Sequence, residues 1–283
     1  MTIRNPVEWV FDGLRPSSYR FMGSLHRSRA ELTDPVPRVR RIRVSDLGDI
    51  LAKGFMDFGA CRTDVLFLGL IYPVAGLILV NAVLGTATLP LVFPLVSGFA
   101  LLGPVAAAGL YEMSRRRERG EEPNWADAFQ VVSRPSIGPL LGLAVLMLCV
   151  FLLWLAAAMV IYNMTMGPES PASLSQFVHD VFTTREGRMM IGLGCGVGFL
   201  FALFVLATSA VSFPLLLDRK VTLGTAVKTS VRVFMENQPA ILVWGLIVAA
   251  GLVIGAIPFL LGLIVVMPVL GHATWHLYRK VLA

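Results

Sequence analysis

The chain is 283 residues long, 56% apolar and only 15% charged, with a net charge of +6 and a mean hydropathy of +0.73. Soluble domains carry about a quarter of their residues as charges, so the composition argues against a pair of ordinary soluble domains and for lipid as the main solvent. Three cysteines cannot build a disulfide framework; Cys61, Cys149 and Cys195 lie in or beside apolar runs, where a cysteine is a small buried hydrophobe.

Residues 1–44 hold no apolar stretch of the signal-peptide kind, so the first span is expected to direct its own insertion. That segment is expected to be a flexible, basic cytoplasmic tail, and 45–283 a membrane domain. A helix needs about 20 apolar residues to cross a hydrocarbon core of about 30 Å. Runs of that kind occupy Val65–Leu84, Leu89–Met113, Ile137–Tyr162 and Met189–Leu217. The last apolar stretch, Pro239–Tyr278, is too long for one span and fits two, with Gly255 and Pro258 as the turn. The predicted fold is all-α, a polytopic membrane protein of six transmembrane helices.

Orientation follows from the loops. Of 24 Lys and Arg, only Arg185 and Arg188 fall between the third and fourth spans. The others, including Arg38, Arg40, Arg41 and Arg43, Arg115–Arg117, Lys228 and Arg232, and Arg279 and Lys280, fall on the opposite side. Cytoplasmic loops collect basic residues, so both termini are expected inside, in a bacterial inner membrane.

Self-similarity is the next signal. A shift of 176 residues superposes Leu47-Gly48 on Leu223-Gly224, Phe58 on Phe234, and Gly69-Leu70-Ile71 on Gly245-Leu246-Ile247. A shift of 164 pairs Pro104-Val105 and Arg115-Arg116 with Pro268-Val269 and Arg279-Lys280. The pattern predicts three repeats, about 45–119, 120–220 and 221–283, each a short cytoplasmic helix followed by a two-span hairpin. Those short helices start near Leu47, Trp125 and Leu223, with Ser45, Asn124 and Thr222 as N-caps. Their apolar faces place them in the membrane interface or under the bundle. In the first, Asp46, Asp49, Lys53 and Asp57 form the polar face.

Chemistry is scarce in the spans. Glu112 and Asp218 stand beside Arg115 and Arg219 and are expected to form interfacial ion pairs. Asn81, Ser97, Thr208, Ser209 and Ser212 are the other polar groups, and hydroxyls in spans bond their own backbone or a neighbouring helix. His272 and His276 stand one turn apart, so both imidazoles are placed to reach one metal or haem iron, but no third ligand has a matching spacing. Interfacial anchoring and interhelical hydrogen bonds are the expected roles, with no cofactor and no metal. Gly192, Gly194, Gly196 and Gly198, with Gly251 and Gly255, are candidate helix-packing positions, within the chain or in a homo-oligomer seam. No phosphate-binding loop and no hydrolase serine elbow is present. The run Arg38–Arg43, with Lys228 and Arg232, is expected to face anionic lipid headgroups or a membrane-complex partner rather than nucleic acid.

The segment Arg41-Ile42-Arg43-Val44-Ser45-Asp46-Leu47, with Gly103–Glu112 and Gly271–Arg279, resembles the bacterial predicted integral membrane proteins known as domain of unknown function 2189. The resemblance covers about residues 40–283. It implies an inner-membrane location and transfers no catalytic residue. The leading expectation is a non-enzymatic accessory, scaffold or lipid-interacting membrane subunit. A permease for a small uncharged or lipid-like solute is the alternative, and a redox or membrane-embedded enzyme subunit the third.

Overall fold

The computed structural model describes residues 37–60, 74, 76–78, 86–122, 137–258 and 260–282. The expected first span, Val65–Leu84, is described only at 74 and 76–78, which are helical. The N-terminal tail to residue 36, Cys61, Asn81 and the expected middle helix from Trp125 lie outside the described residues.

Helices make up nearly all of the rest. They are α1 (Asp46–Ala60), α2 (Leu89–Glu118), α3 (Ile137–Thr165), α4 (Leu174–Thr183), α5 (Arg185–Ser209), α6 (Ser212–Asp218), α7 (Leu223–Glu236), α8 (Gln238–Ala256) and α9 (Leu263–Val281). Among the described residues the one β pairing is an isolated bridge between Val39 and Leu282. Four helical stretches are long and apolar enough to cross a membrane: α2, α3, the α5–α6 stretch Arg185–Asp218, and α8. α9 is not among them, since its second half carries His272, His276, Arg279 and Lys280.

Local chemistry accounts for the element ends. Pro94 and Pro104 lack an N–H, and α2 passes through a tighter 3-10 stretch, Ala100–Leu102, between them. Trp154 of α3 donates its indole N–H to the Pro94 carbonyl at 2.9 Å, so a polar backbone group has a partner within apolar surroundings. The hydroxyl of Thr222 accepts from Thr225 N, as an N-cap does, and Ser173 and Thr184 cap α4 and α5 in the same way. α8 ends at Ala256, and the reversal into α9 runs through Leu260 at φ 66°. Gly255 and Gly262 face each other there: a Cβ on Gly262 would lie 2.8 Å from the Gly255 Cα, so neither residue has room for a side chain.

The core lies toward the basic end. Leu47 and Ile50 of α1, Tyr111 and Met113 of α2, Leu143 and Met147 of α3, and Phe213, Leu215 and Leu216 of α6 are all buried together. Ile241 and Trp244 of α8, and Trp275, Leu277 and Tyr278 of α9, complete it. Elsewhere the long helices expose large apolar side chains, among them Phe93, Leu153, Phe199, Leu246 and Ile254. A belt of that kind is costly in water and stable in hydrocarbon.

α1 packs along α9 over most of its length. The approach is closest at Gly54, where an added Cβ would lie 2.6 Å from the Ala273 Cβ and 2.8 Å from its backbone N. Gly48 and Gly59, on the same helix, have open space instead. Gly54→Leu is therefore expected to destabilise the protein by about 1–3 kcal/mol through overpacking, while Gly48→Leu changes its melting temperature little. Thermal unfolding of the two variants in the same detergent checks this, and equal melting temperatures would contradict the contact.

Candidate functional site

The polar residues that converge in this protein do so where α1, α2 and α9 meet. Asp57 lies near the end of α1 and is 7% exposed. Its Oδ2 accepts from Ser114 Oγ at 2.6 Å and from His276 Nε2 at 2.9 Å. Its Oδ1 accepts from an Arg117 amino group at 2.9 Å, and the same group donates to the Met56 carbonyl. His272 Nδ1 lies 2.7 Å from Ser114 Oγ, one turn from His276 on α9.

The proton positions follow from counting donors. Asp57 as a carboxylate only accepts, so the single hydroxyl proton of Ser114 points at Asp57. His272 Nδ1 must then donate to Ser114, which leaves Nε2 as a bare acceptor. That atom is buried and is the one buried side-chain N or O among the described residues without a partner. The chemistry of the arrangement is therefore not that of a serine hydrolase. There the imidazole bridges hydroxyl and carboxylate and takes the serine proton; here the hydroxyl bridges imidazole and carboxylate, and its proton already belongs to Asp57. Among the described residues no three His, Cys, Asp or Glu side chains are grouped to hold a metal ion.

Two further carboxylates are tied up close by. Glu112, fully buried in α2, takes paired hydrogen bonds from Arg115 and one from Arg116, all at 2.9–3.0 Å. Asp218 accepts from the Tyr278 hydroxyl at 2.6 Å and lies 3.5 Å from Arg279, which also pairs with Glu118. Ser97, Thr208 and Ser209 donate to carbonyls of their own helices, and the Ser212 hydroxyl lies within hydrogen-bond distance of the Thr208 carbonyl of α5 and the Ala226 carbonyl of α7.

The arginines before α1 are presented differently. Arg38, Arg40, Arg41 and Arg43 are all exposed, on an extended segment pinned at several points. Arg40 N donates to the Val281 carbonyl at 2.8 Å, and Ile42 N to Asn237 Oδ1 at 2.7 Å. Asn237 returns a hydrogen bond from its amide to the Arg40 carbonyl at 3.2 Å. Lys228 and Arg232 are exposed on α7, whose end Asn237 caps; Arg232 pairs with Glu236 at 2.7 Å.

The candidate glycines divide. A Cβ on Gly198 would lie 3.1 Å from Trp154, and one on Gly251 3.3 Å from Leu270 and Val266, so these lie at helix contacts with Gly255. Gly192, Gly194 and Gly196 meet nothing within 4 Å among the described residues. Beside them an apolar crevice of about 250 Å³, lined by Phe93, Ser97, Leu101, Trp154, Cys195 and Phe199, opens between α2, α3 and α5.

Asp57 is a departure from the sequence reading, which puts it on the polar face of α1. The face is polar, but it is covered at Asp57 because α2 and α9 bring Ser114, Arg117 and His276 onto it. Ser114 and Asn237 have no sequence signal, since single polar residues next to charged or apolar stretches are common. The helical caps and the exposed arginines need only local sequence.

Four apolar helical stretches joined by a polar, basic end define an integral membrane protein of the helical class. The model of the family described as predicted integral membrane protein (DUF2189) matches residues 92–218, from the first turn of α2 to the end of α6, and over that segment the chain is similar to this family. No curated protein and no solved structure matches the chain.

Burial raises the Asp57 pKa, but the hydrogen bonds from His276 and Ser114, with the nearby imidazoles, outweigh it and hold the carboxyl below its usual 3.8. A depressed folded pKa gives stability that is present above the unfolded value and lost as pH falls through the folded one. The wild type is thus expected to lose stability below about pH 4, beyond the loss shown by Asp57→Asn. Melting curves of both from pH 6 to pH 3 check this; parallel curves would contradict it.

Proposed function

We propose that the chain is a non-enzymatic accessory or scaffold subunit of a bacterial inner membrane, which gathers anionic lipid headgroups at its basic end. The observation that carries this is the pinned arginine row. Arg38, Arg40, Arg41 and Arg43 are exposed on a backbone tied to α7 and α9, and among the described residues no carboxylate lies within 4 Å of the guanidinium groups of Arg38, Arg40 and Arg41, while Arg43 has Asp46 nearby. The interior ionisable groups, by contrast, bond one another. Guanidinium groups held in fixed positions bind phosphate oxygens by paired hydrogen bonds, and each basic residue near an anionic surface contributes about 1 kcal/mol.

A six-span topology with both termini and the arginine row in the cytoplasm completes the proposal. The four candidate spans, with α9 and the run Val65–Leu84, supply the count. The helices α1 and α7, which open the two stretches related by the 176-residue shift, support the repeated hairpin.

The test has two arms. Gentle purification followed by lipid mass spectrometry should find phosphatidylglycerol or cardiolipin retained by the wild type and depleted several-fold when all four arginines are changed to Gln. Reporters after Ala283 and near Glu121 should read cytoplasmic, and one near Ser173 the opposite side. Unchanged lipid content would overturn the lipid role, and swapped reporters the topology.

A further inference from the structure

The stretch between α3 and α5 reads as a loop from charge alone, yet it contains α4 (Leu174–Thr183), capped by Ser173. Its place is fixed by the chain. α3 leaves the basic end and α5 returns to it, so α4 lies at the opposite end of the two apolar helices.

At 3.6 residues per turn, Leu174, Phe177, Val178, Val181 and Phe182 fall within an arc of about 140°. Ser175, Gln176, His179, Asp180 and Thr183 take the rest of the circumference. The apolar arc serves two purposes. Its inner edge packs on the bundle: Val181 is buried, and the Phe177 ring meets Tyr162 of α3 edge-on with centroids 6.3 Å apart. The hairpin into α5 is tight, because a Cβ on Gly187 would run into the Asp180 and Val181 carbonyls. The outer edge is bare: Leu174 is 56% exposed, Val178 46% and Phe182 68%.

We propose that α4 lies in the plane of the membrane surface on the side away from the basic end, with Leu174, Val178 and Phe182 inserted among lipid acyl chains. The occupant is identified by continuity. Met164, at the end of α3, and Met189, at the start of α5, are exposed on either side of α4. They lead into the exposed apolar belt of those helices, which includes Val160 and Leu193. Two apolar helices meet α4 at its ends and hold it at the depth where hydrocarbon gives way to headgroups. A helix with one uncharged apolar edge and one polar face is stable at that boundary. This placement goes beyond the lipid role of the arginine row, which lies at the other end of the molecule, so either can fail alone.

The unmodified protein in vesicles of phosphatidylcholine and phosphatidylglycerol, doped with a lipid carrying a diazirine in its acyl chain, provides the test. After illumination, mass spectrometry should find adducts at Leu174, Val178 and Phe182 as frequent as at Phe199 of α5, and several-fold fewer at Ser175 and His179. Adducts at Phe199 with none on α4 would overturn the proposal. So would efficient disulfide linkage between Phe182→Cys chains in the same vesicles, which would assign the bare edge to a second copy.

Discussion

A carboxylate inside a protein is stable only if its surroundings replace the water it has lost, and the basic end of this molecule is arranged around that requirement at Asp57. Two elements distant in sequence supply the donors and the link: Ser114 and Arg117 from α2, and His276, with His272 behind Ser114, from α9. Removing one partner of such a group leaves a buried charge or a buried donor unsatisfied, which costs more than the bond itself was worth. The packing of α1 on α9 at Gly54, one turn before Asp57, and the seating of α9 on α2 bring the donors to the required distances.

This constraint also accounts for the division of the molecule. At the basic end, ionisable side chains bond each other and the large core residues interlock. Away from it, α3, α5 and α8 turn apolar side chains outward, and the Thr208 and Ser209 hydroxyls of α5 bond carbonyls of their own helix. Lipid supplies no hydrophobic drive between helices, so the polar cluster and the core beneath it hold helices together where the apolar belt cannot. The arginine row belongs to neither group. Its backbone is fixed by Asn237 and Val281 while its side chains remain exposed, an arrangement suited to recognising something outside the chain.

The apolar helices were legible in the sequence because their signal is local: long uncharged runs at Ile137–Tyr162 and Met189–Leu217 fall inside α3 and the α5–α6 stretch. The cap at Thr222 and the Glu112–Arg115 pair are local too. His272 and His276 stand out as a pair one turn apart, but their partners do not. Asp57 and Ser114 are separated from them by 219 and 158 residues respectively, and periodicity carries no information about which polar face another helix will cover. α4 was missed for a different reason. Asp180, the flanking charges Glu169, Arg185, Glu186 and Arg188, and the helix breakers Gly167 and Pro168 obscure an apolar spacing at 174, 177, 178, 181 and 182 that Ser173 announces as helical. Nor does spacing reveal that Gly198 faces Trp154 while Gly194 meets nothing within 4 Å among the described residues.

The most direct test of Asp57 as the anchor of the basic end is a double-mutant cycle between Asp57→Ala and Ser114→Ala, read as unfolding free energy in detergent. Ser114 links Asp57 to His272, so the two substitutions should be strongly coupled. A coupling energy of about 1–3 kcal/mol is predicted. Additivity within about 0.3 kcal/mol would contradict the account and show that the two side chains contribute to stability independently.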